Sequence, residues 1–165
     1  LARGIEVSLI ETDVEMIRAA ANFGFKVYYG DGTRLDVLRA SGAETAEAIL
    51  VCVEKAEVAD RVVQLAQAEF PHAKLFVRAF DRGHVLRLIS AGVDFQVRET
   101  FESAMRFGDQ LLRALGFPDS VVAETMEDVR QRDAERLEMQ VVGGLTAGRA
   151  LMRGNMATPV PAPLR

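Results

Sequence analysis

The sequence has a single cysteine, Cys52, and only two histidines, His72 and His84. One thiol excludes a disulfide framework, a CxxC redox motif and a cysteine-rich zinc site within the chain. Cys52 lies in the apolar run Ala48-Ile49-Leu50-Val51-Cys52-Val53, where it reads as a buried structural thiol. Both histidines read as surface residues, His72 after Phe70-Pro71 and His84 at a helix start, and no Tyr-xxx-Lys pair accompanies them. No catalytic residue and no metal site is therefore assigned. Positive charge is in the minority: 20 Lys and Arg face 24 Asp and Glu, a formal net charge of -4. That argues against nucleic acid as a partner. No stretch is apolar for long enough to span a bilayer, and the N-terminus lacks the basic region and hydrophobic core of a signal peptide. The sequence reads as a soluble, cytosolic piece; as it does not start with Met, it is expected to be cut from something larger. It has no internal repeats. It also has no GxGxxG turn, since Gly143-Gly144 follows no strand.

What is present is an ordinary globular composition, 49% hydrophobic and 27% charged over 165 residues, enough for one domain with a real core. Strand and helix patterns alternate. Ile5–Ile10 is a mostly apolar strand, and Asp13 can cap the helix carrying Met16, Ile17, Ala20 and Ala21. Lys26–Tyr29 is a second strand. The run Ala48–Val53 lacks alternation, which suits a parallel strand covered on both faces. A helix with Val58, Val62, Leu65 and Ala66 follows, then a strand at Lys74–Ala79 and a helix capped by Asp81. After them come a strand at Asp94–Val97 and a helix capped by Thr100, with Phe101, Met105, Gly108, Leu112 and Leu115 on one face. Short connections between such elements predict a Rossmann-like α/β fold, a parallel sheet with right-handed crossovers and helices on both faces, over residues 1–116. Gly116-Phe117-Pro118 breaks the pattern. An amphipathic C-terminal helix is predicted within 117–142, on the stripe Val122, Met126, Val129 and Leu137, and residues 143–165, rich in Gly, Ala and Pro, read as disordered. Asp133 falls on that stripe, either as a partner or ligand contact or where the stripe reaches solvent.

Two carboxylates sit where strands end. Val27-Tyr28-Tyr29-Gly30-Asp31-Gly32-Thr33-Arg34 reads as a strand, a glycine-flanked acid and a helix start, with Gly30 and Gly32 free to take positive φ and Thr33 and Asp36 fitting a capping box. In open α/β sheets ligands bind beyond the carboxyl ends of the strands; the other reading is a tight turn with a helix cap. Glu11 ends the preceding strand, in the position of the acid that follows a dinucleotide-binding glycine turn by about 20 residues. Only ten residues precede it. The first strand and its Gly-rich loop, with the pyrophosphate cradle, are absent from this sequence. Neighbouring strands would then expose backbone groups that need a partner; either residues of a longer protein or another segment fills the slot.

The segments "NFGFKVYYGDGTRLDVLRASGA", "FPHAKLFVRAFDRGHVLRLISAGVD" and "VRETFESAMRFGDQLLRALG" closely resemble the cytosolic regulatory domain, of the KTN or RCK (TrkA-N) type, of the Kef family of glutathione-gated potassium–proton antiporters. The resemblance runs from about Gly4 to Gln140. It implies a non-enzymatic, nucleotide-binding regulatory domain that forms a homodimer, binds AMP or NAD(H), and gates the membrane antiporter domain of the same polypeptide in response to glutathione or its adducts. It also implies a place on the cytoplasmic face of the inner membrane and, in some members, an ancillary quinone-reductase-like subunit. Glu11 matches the acid that holds the adenosine ribose, with Thr12 and Asp13 beside it. Asp31, Gly32 and Thr33 match the adenine loop, where family members often have Ala for Gly32. Arg78 matches a position facing the nucleotide cleft, against the alternative of an exposed salt-bridge partner. Arg98 matches an arginine that contacts glutathione, against the alternative of a local pair with Glu99. Asp133 stands where glutathione-gated members carry an asparagine, and an acid there repels the peptide's carboxylates. Val53-Glu54-Lys55 replaces a more acidic stretch, and Phe80 a second arginine.

Two other functions compete. A fragment of a soluble NAD-dependent dehydrogenase requires a substrate domain and a proton-transfer residue, which the histidines do not supply. A peripheral subunit of a potassium uptake system usually carries a second, β-rich ligand domain, where this sequence has a helix and a Pro-rich tail.

Overall fold

The structure, a computed structural model, describes residues 4–152. The chain divides into two compact units, Leu1–Thr100 and Phe101–Arg165. Each is described by itself.

The first unit alternates strand and helix as the apolar spacing predicts. Strand β1 (Ser8–Glu11) leads through α1 (Val14–Asn22) to β2 (Lys26–Tyr29), and α2 (Leu35–Ala40) with a 3-10 turn at Ala43–Thr45 leads to β3 (Ala48–Val51). Then follow α3 (Ala56–Glu69), β4 (Lys74–Ala79), α4 (Arg82–Ala91) and β5 (Phe95–Arg98). All recorded pairings are parallel, and they form two sheets among the described residues: β1 with β2, and β3-β4-β5.

The core lies on one face of β3-β4-β5. Steps from β3 to β4 to β5 run in one direction, so right-handed crossovers return α3 and α4 to the same side. Val51, Leu75, Val77 and Ala79 are buried there with Ala59, Val62, Val63 and Ala66 of α3 and Val85 and Leu88 of α4. The opposite face is open. Leu50, Phe76 and Phe95 lie side by side in register, the two rings 5.8 Å apart, and Leu50 is 68% exposed. The run from Ala48 to Val53 is thus covered on one face rather than two. Cys52, just past β3, is exposed rather than buried, because the strand's alternation puts its buried neighbour Val51 toward the helices.

The helix ends follow their capping chemistry, with two departures. Asp13 Oδ1 accepts from the N–H groups of Glu15 and Met16, and Asp81 Oδ1 accepts from that of His84, as expected. The expected Thr33–Asp36 capping box does not form. Arg34 occupies the N-cap without a side-chain bond, Asp36 pairs with the Arg34 guanidinium at 2.9 and 3.1 Å, and Thr33 turns to Asp31. Thr100 caps nothing either, because α5 (Glu99–Ala114) starts one residue earlier.

The second unit contains most of α5, α6 (Asp119–Gly143) and a 3-10 turn at Arg149–Leu151. Within it Met126 of α6 packs over Gly108 of α5, where an added Cβ would meet the Met126 Cε at 3.5 Å. Arg130 grips Glu102 through two hydrogen bonds of 3.0 and 2.9 Å. The segment after Gly143 was expected to be disordered; as far as Met152 it carries the 3-10 turn, and the Gln140 side chain, buried on α6, donates to the Leu145 carbonyl. The rest of that predicted tail lies outside the described residues.

Candidate functional site

The carboxyl edge of β1-β2 brings together the residues singled out by sequence. The register sets Glu11 opposite Tyr29, and the N–H of Gly30 donates to the Glu11 carbonyl at 3.0 Å, so the two loops leave the sheet side by side. The Glu11 carboxylate folds back on its own turn. Its Oε1 accepts from the N–H of Thr12 at 2.6 Å and of Asp13 at 2.9 Å, with the Thr12 hydroxyl at 3.5 Å. Asp31 repeats the arrangement: its Oδ1 accepts from both the N–H and the hydroxyl of Thr33 at 2.8 Å. The Thr33 backbone N–H, then its hydroxyl, and last the Arg34 charge hold the Asp31 carboxyl below its ordinary value, against desolvation, which opposes them by more than the Arg34 charge adds. In both acids one oxygen is anchored by the chain, and among the described residues the other, Glu11 Oε2 and Asp31 Oδ2, takes no recorded hydrogen bond. Two anchored acids with outward lone pairs are suited to accept from hydroxyl or amino hydrogens.

The glycines serve differently from their sequence reading. Neither Gly30 nor Gly32 has positive φ. Gly30 is needed for close approach, since a Cβ there would lie 2.9 Å from both methyl groups of Val37 on α2. At Gly32 a Cβ would meet nothing within 4 Å, so alanine fits.

The two candidate arginines, Arg78 and Arg98, lie at the other sheet's edge. Arg78 is next to last in β4, paired in register with Val97, and its guanidinium lies 3.1 Å from Glu99 Oε2. Glu99, expected beside Arg98, thus reaches Arg78. Arg98 ends β5 opposite Ala79. Asp133 lies on α6 in the second unit, half-buried. The stripe that carries it is buried at Val122 and exposed at Val129. Among the described residues no group of acids, histidines and cysteine could hold a metal ion, and no helix is long and apolar enough to cross a membrane.

Residues 1–99 match the TrkA-N domain. The chain belongs to the TrkA-N domain family. Among its relatives are a glutathione-regulated potassium-efflux system protein of Haemophilus influenzae, 43% identical over 88% of this chain, and the glutathione-regulated potassium-efflux system protein KefC of Salmonella arizonae, 34% identical over 87%. The domain spans about a quarter of those relatives, 24% and 23% of their lengths. Among solved structures it is similar to the Shewanella denitrificans Kef C-terminal domain in its AMP-bound form, with TM-score 0.74, 29% identity and 85% of both chains covered. The NAD(P)-binding domain of an exopolyphosphatase-related protein from Archaeoglobus fulgidus, 19% identical with TM-score 0.58 over 68% of this chain and 84% of that one, shares the fold. The TrkA-N fold is Rossmann-like, parallel strands flanked by helices, as the alternating pattern predicted.

One residue of this TrkA-N domain escaped sequence reasoning. His84, read as a surface residue, is buried, at 1% exposure. Its neighbours Asp60 and Arg87 come from two helices, a juxtaposition with no local sequence signal; only the Asp81 cap three residues earlier marked the turn.

Proposed function

We propose that this domain is the nucleotide-binding regulatory part of a potassium–proton efflux antiporter, without chemistry of its own. The carrying observation is the pair of anchored acids, Glu11 and Asp31, at the shared edge of β1 and β2. A ribose offers two hydroxyl hydrogens to a carboxylate such as Glu11, and adenine offers an amino group to the Asp31 loop. The AMP bound by the similar Shewanella denitrificans Kef domain supports an adenine nucleotide, AMP or NAD(H), as ligand. The phosphates fall to residues other than these. Arg78, paired with Glu99, is proposed to lend positive charge to the nucleotide, and Arg98 to meet a glutathione carboxylate. Asp133 disfavours that ligand unless a cation lies between. The names of the relatives support glutathione or its adducts as effectors.

Regulation then works by linkage: a ligand that binds one arrangement better shifts the gate toward it. AMP titrated into the domain by calorimetry should bind, and Asp31→Ala should weaken binding about tenfold or more through loss of one hydrogen bond to a charged acceptor. Unchanged affinity would sink the assignment of the loop.

The arrangement that shifts is proposed to be a dimer. On α5 and at the residue just past its end, Phe107 (79% exposed), Leu111 and Leu115 recur every fourth residue as an exposed apolar stripe. A stripe of that spacing suits the same helix of a second copy. Light scattering at high micromolar concentration should give a dimer mass, and a monomer mass counts against this gating route.

A further inference from the structure

The edge that carries the two anchored acids also carries an uncovered aromatic ring. Tyr29 is the last residue of β2 and is 72% exposed. The other aromatic residues of the strands are engaged. Phe76 and Phe95 lie 5.8 Å apart, and the Lys26 ammonium sits 5.3 Å over the Tyr28 ring. Among the described residues the Tyr29 ring has no recorded ring or cation contact, and its hydroxyl no recorded hydrogen bond. A ring in that position keeps its π face available to a ligand.

Strand register fixes where the ring stands. Tyr29 pairs with Glu11. Residues paired on neighbouring strands point to the same face, on strands about 4.8 Å apart, and successive residues alternate. Tyr28 therefore shares the opposite face with Lys26, while Tyr29 and Glu11 leave the sheet side by side. The chain then runs through Gly30, whose N–H is bonded to the Glu11 carbonyl, to Asp31. Acid, ring and acid thus mark out one patch of the carboxyl edge, where ligands of open α/β sheets bind. Other exposed apolar residues of this part of the chain, Ile5 and Phe23, precede their strands and so lie at the opposite end.

The two acids leave part of a nucleoside without a partner. They accept hydrogens from hydroxyl and amino groups at the rim of the ligand, and a carboxylate makes no favourable contact with the flat face of a purine. An aromatic side chain does, in an offset stack with ring centroids about 4.5–7 Å apart. We propose that Tyr29 is a base-binding residue, its ring stacking on the purine of the nucleoside whose ribose Glu11 holds. This rests on the nucleotide reading above and adds to it a residue that binds through its ring rather than through charge.

The probe is adenosine, which offers base and ribose without the phosphates that fall to other residues. Its affinity for the intact chain is measured by NMR titration. Tyr29→Leu keeps an apolar side chain but no ring, and should weaken binding about five- to tenfold, the low end for base–aromatic stacking because the edge is exposed. Tyr29→Phe keeps the ring and should bind within about twofold of the wild type. In the wild-type complex, nuclear Overhauser contacts should join the Tyr29 ring protons to the adenine ring protons. Since these are read in the wild type, they test the proposal even where Tyr29→Leu disturbs the turn. Unchanged affinity in Tyr29→Leu, or no such contacts in the bound wild type, overturns this inference and leaves the nucleotide reading standing. An equal loss in Tyr29→Phe assigns the effect to the hydroxyl and also overturns it. No adenosine binding to the wild-type chain overturns the nucleotide reading and the inference with it.

Discussion

Replacing Glu11 with alanine is expected to weaken adenine-nucleotide binding by about 10- to 100-fold, the loss that follows from removing a hydrogen bond to a charged acceptor and the turn it organises. Glu11 has two tasks in this fold. Its Oε1 holds the N–H groups of Thr12 and Asp13, and Asp13 in turn caps α1. Its other oxygen is the proposed ribose acceptor. Glu11→Gln separates the tasks, because the amide oxygen can still take the two backbone donors while the amide nitrogen cannot accept from a hydroxyl. Calorimetry with AMP should therefore show most of the loss in Glu11→Gln as well. If Glu11→Gln binds like the wild type while Glu11→Ala does not, the carboxylate serves only the turn.

Replacing Phe70 with alanine is expected to cost about 3–5 kcal/mol of stability, measured as a shift in the urea unfolding midpoint. Phe70 is the C-cap of α3, its N–H bonded to the Ala66 carbonyl at 2.8 Å, and at 1% exposure it is among the largest fully buried side chains. The same truncation at Phe23, which is 81% exposed, should change stability by no more than about 0.5 kcal/mol. Equal effects at the two sites would contradict the placement of the core.

The order of elements and the two acid-bearing loops were legible because both are local properties. A period of 3.6 or an apolar run names a helix or a strand, Asp13 and Asp81 announce helix starts, and an acid after a strand lies at the sheet's carboxyl edge whatever packs around it. The family likewise rests on linear motifs. The Thr33–Asp36 box failed on local chemistry of a finer kind: two acids competed for the same few donors, Asp31 accepting from Thr33 and Asp36 from the Arg34 guanidinium.

What packs on what needed the tertiary structure. The sequence carries an apolar run at Ala48–Val53, yet which face is covered depends on the crossovers that bring α3 and α4 to one side, and so Leu50 and Cys52 are exposed. Arg78 finds Glu99 because β4 and β5 lie in register, across 21 residues of chain. His84 meets Asp60 only because two helices pack on the same sheet. Burial and long-range pairing are sums over contacts between distant segments. A strand's own residues state that it has two faces; only the packed fold states which face meets water.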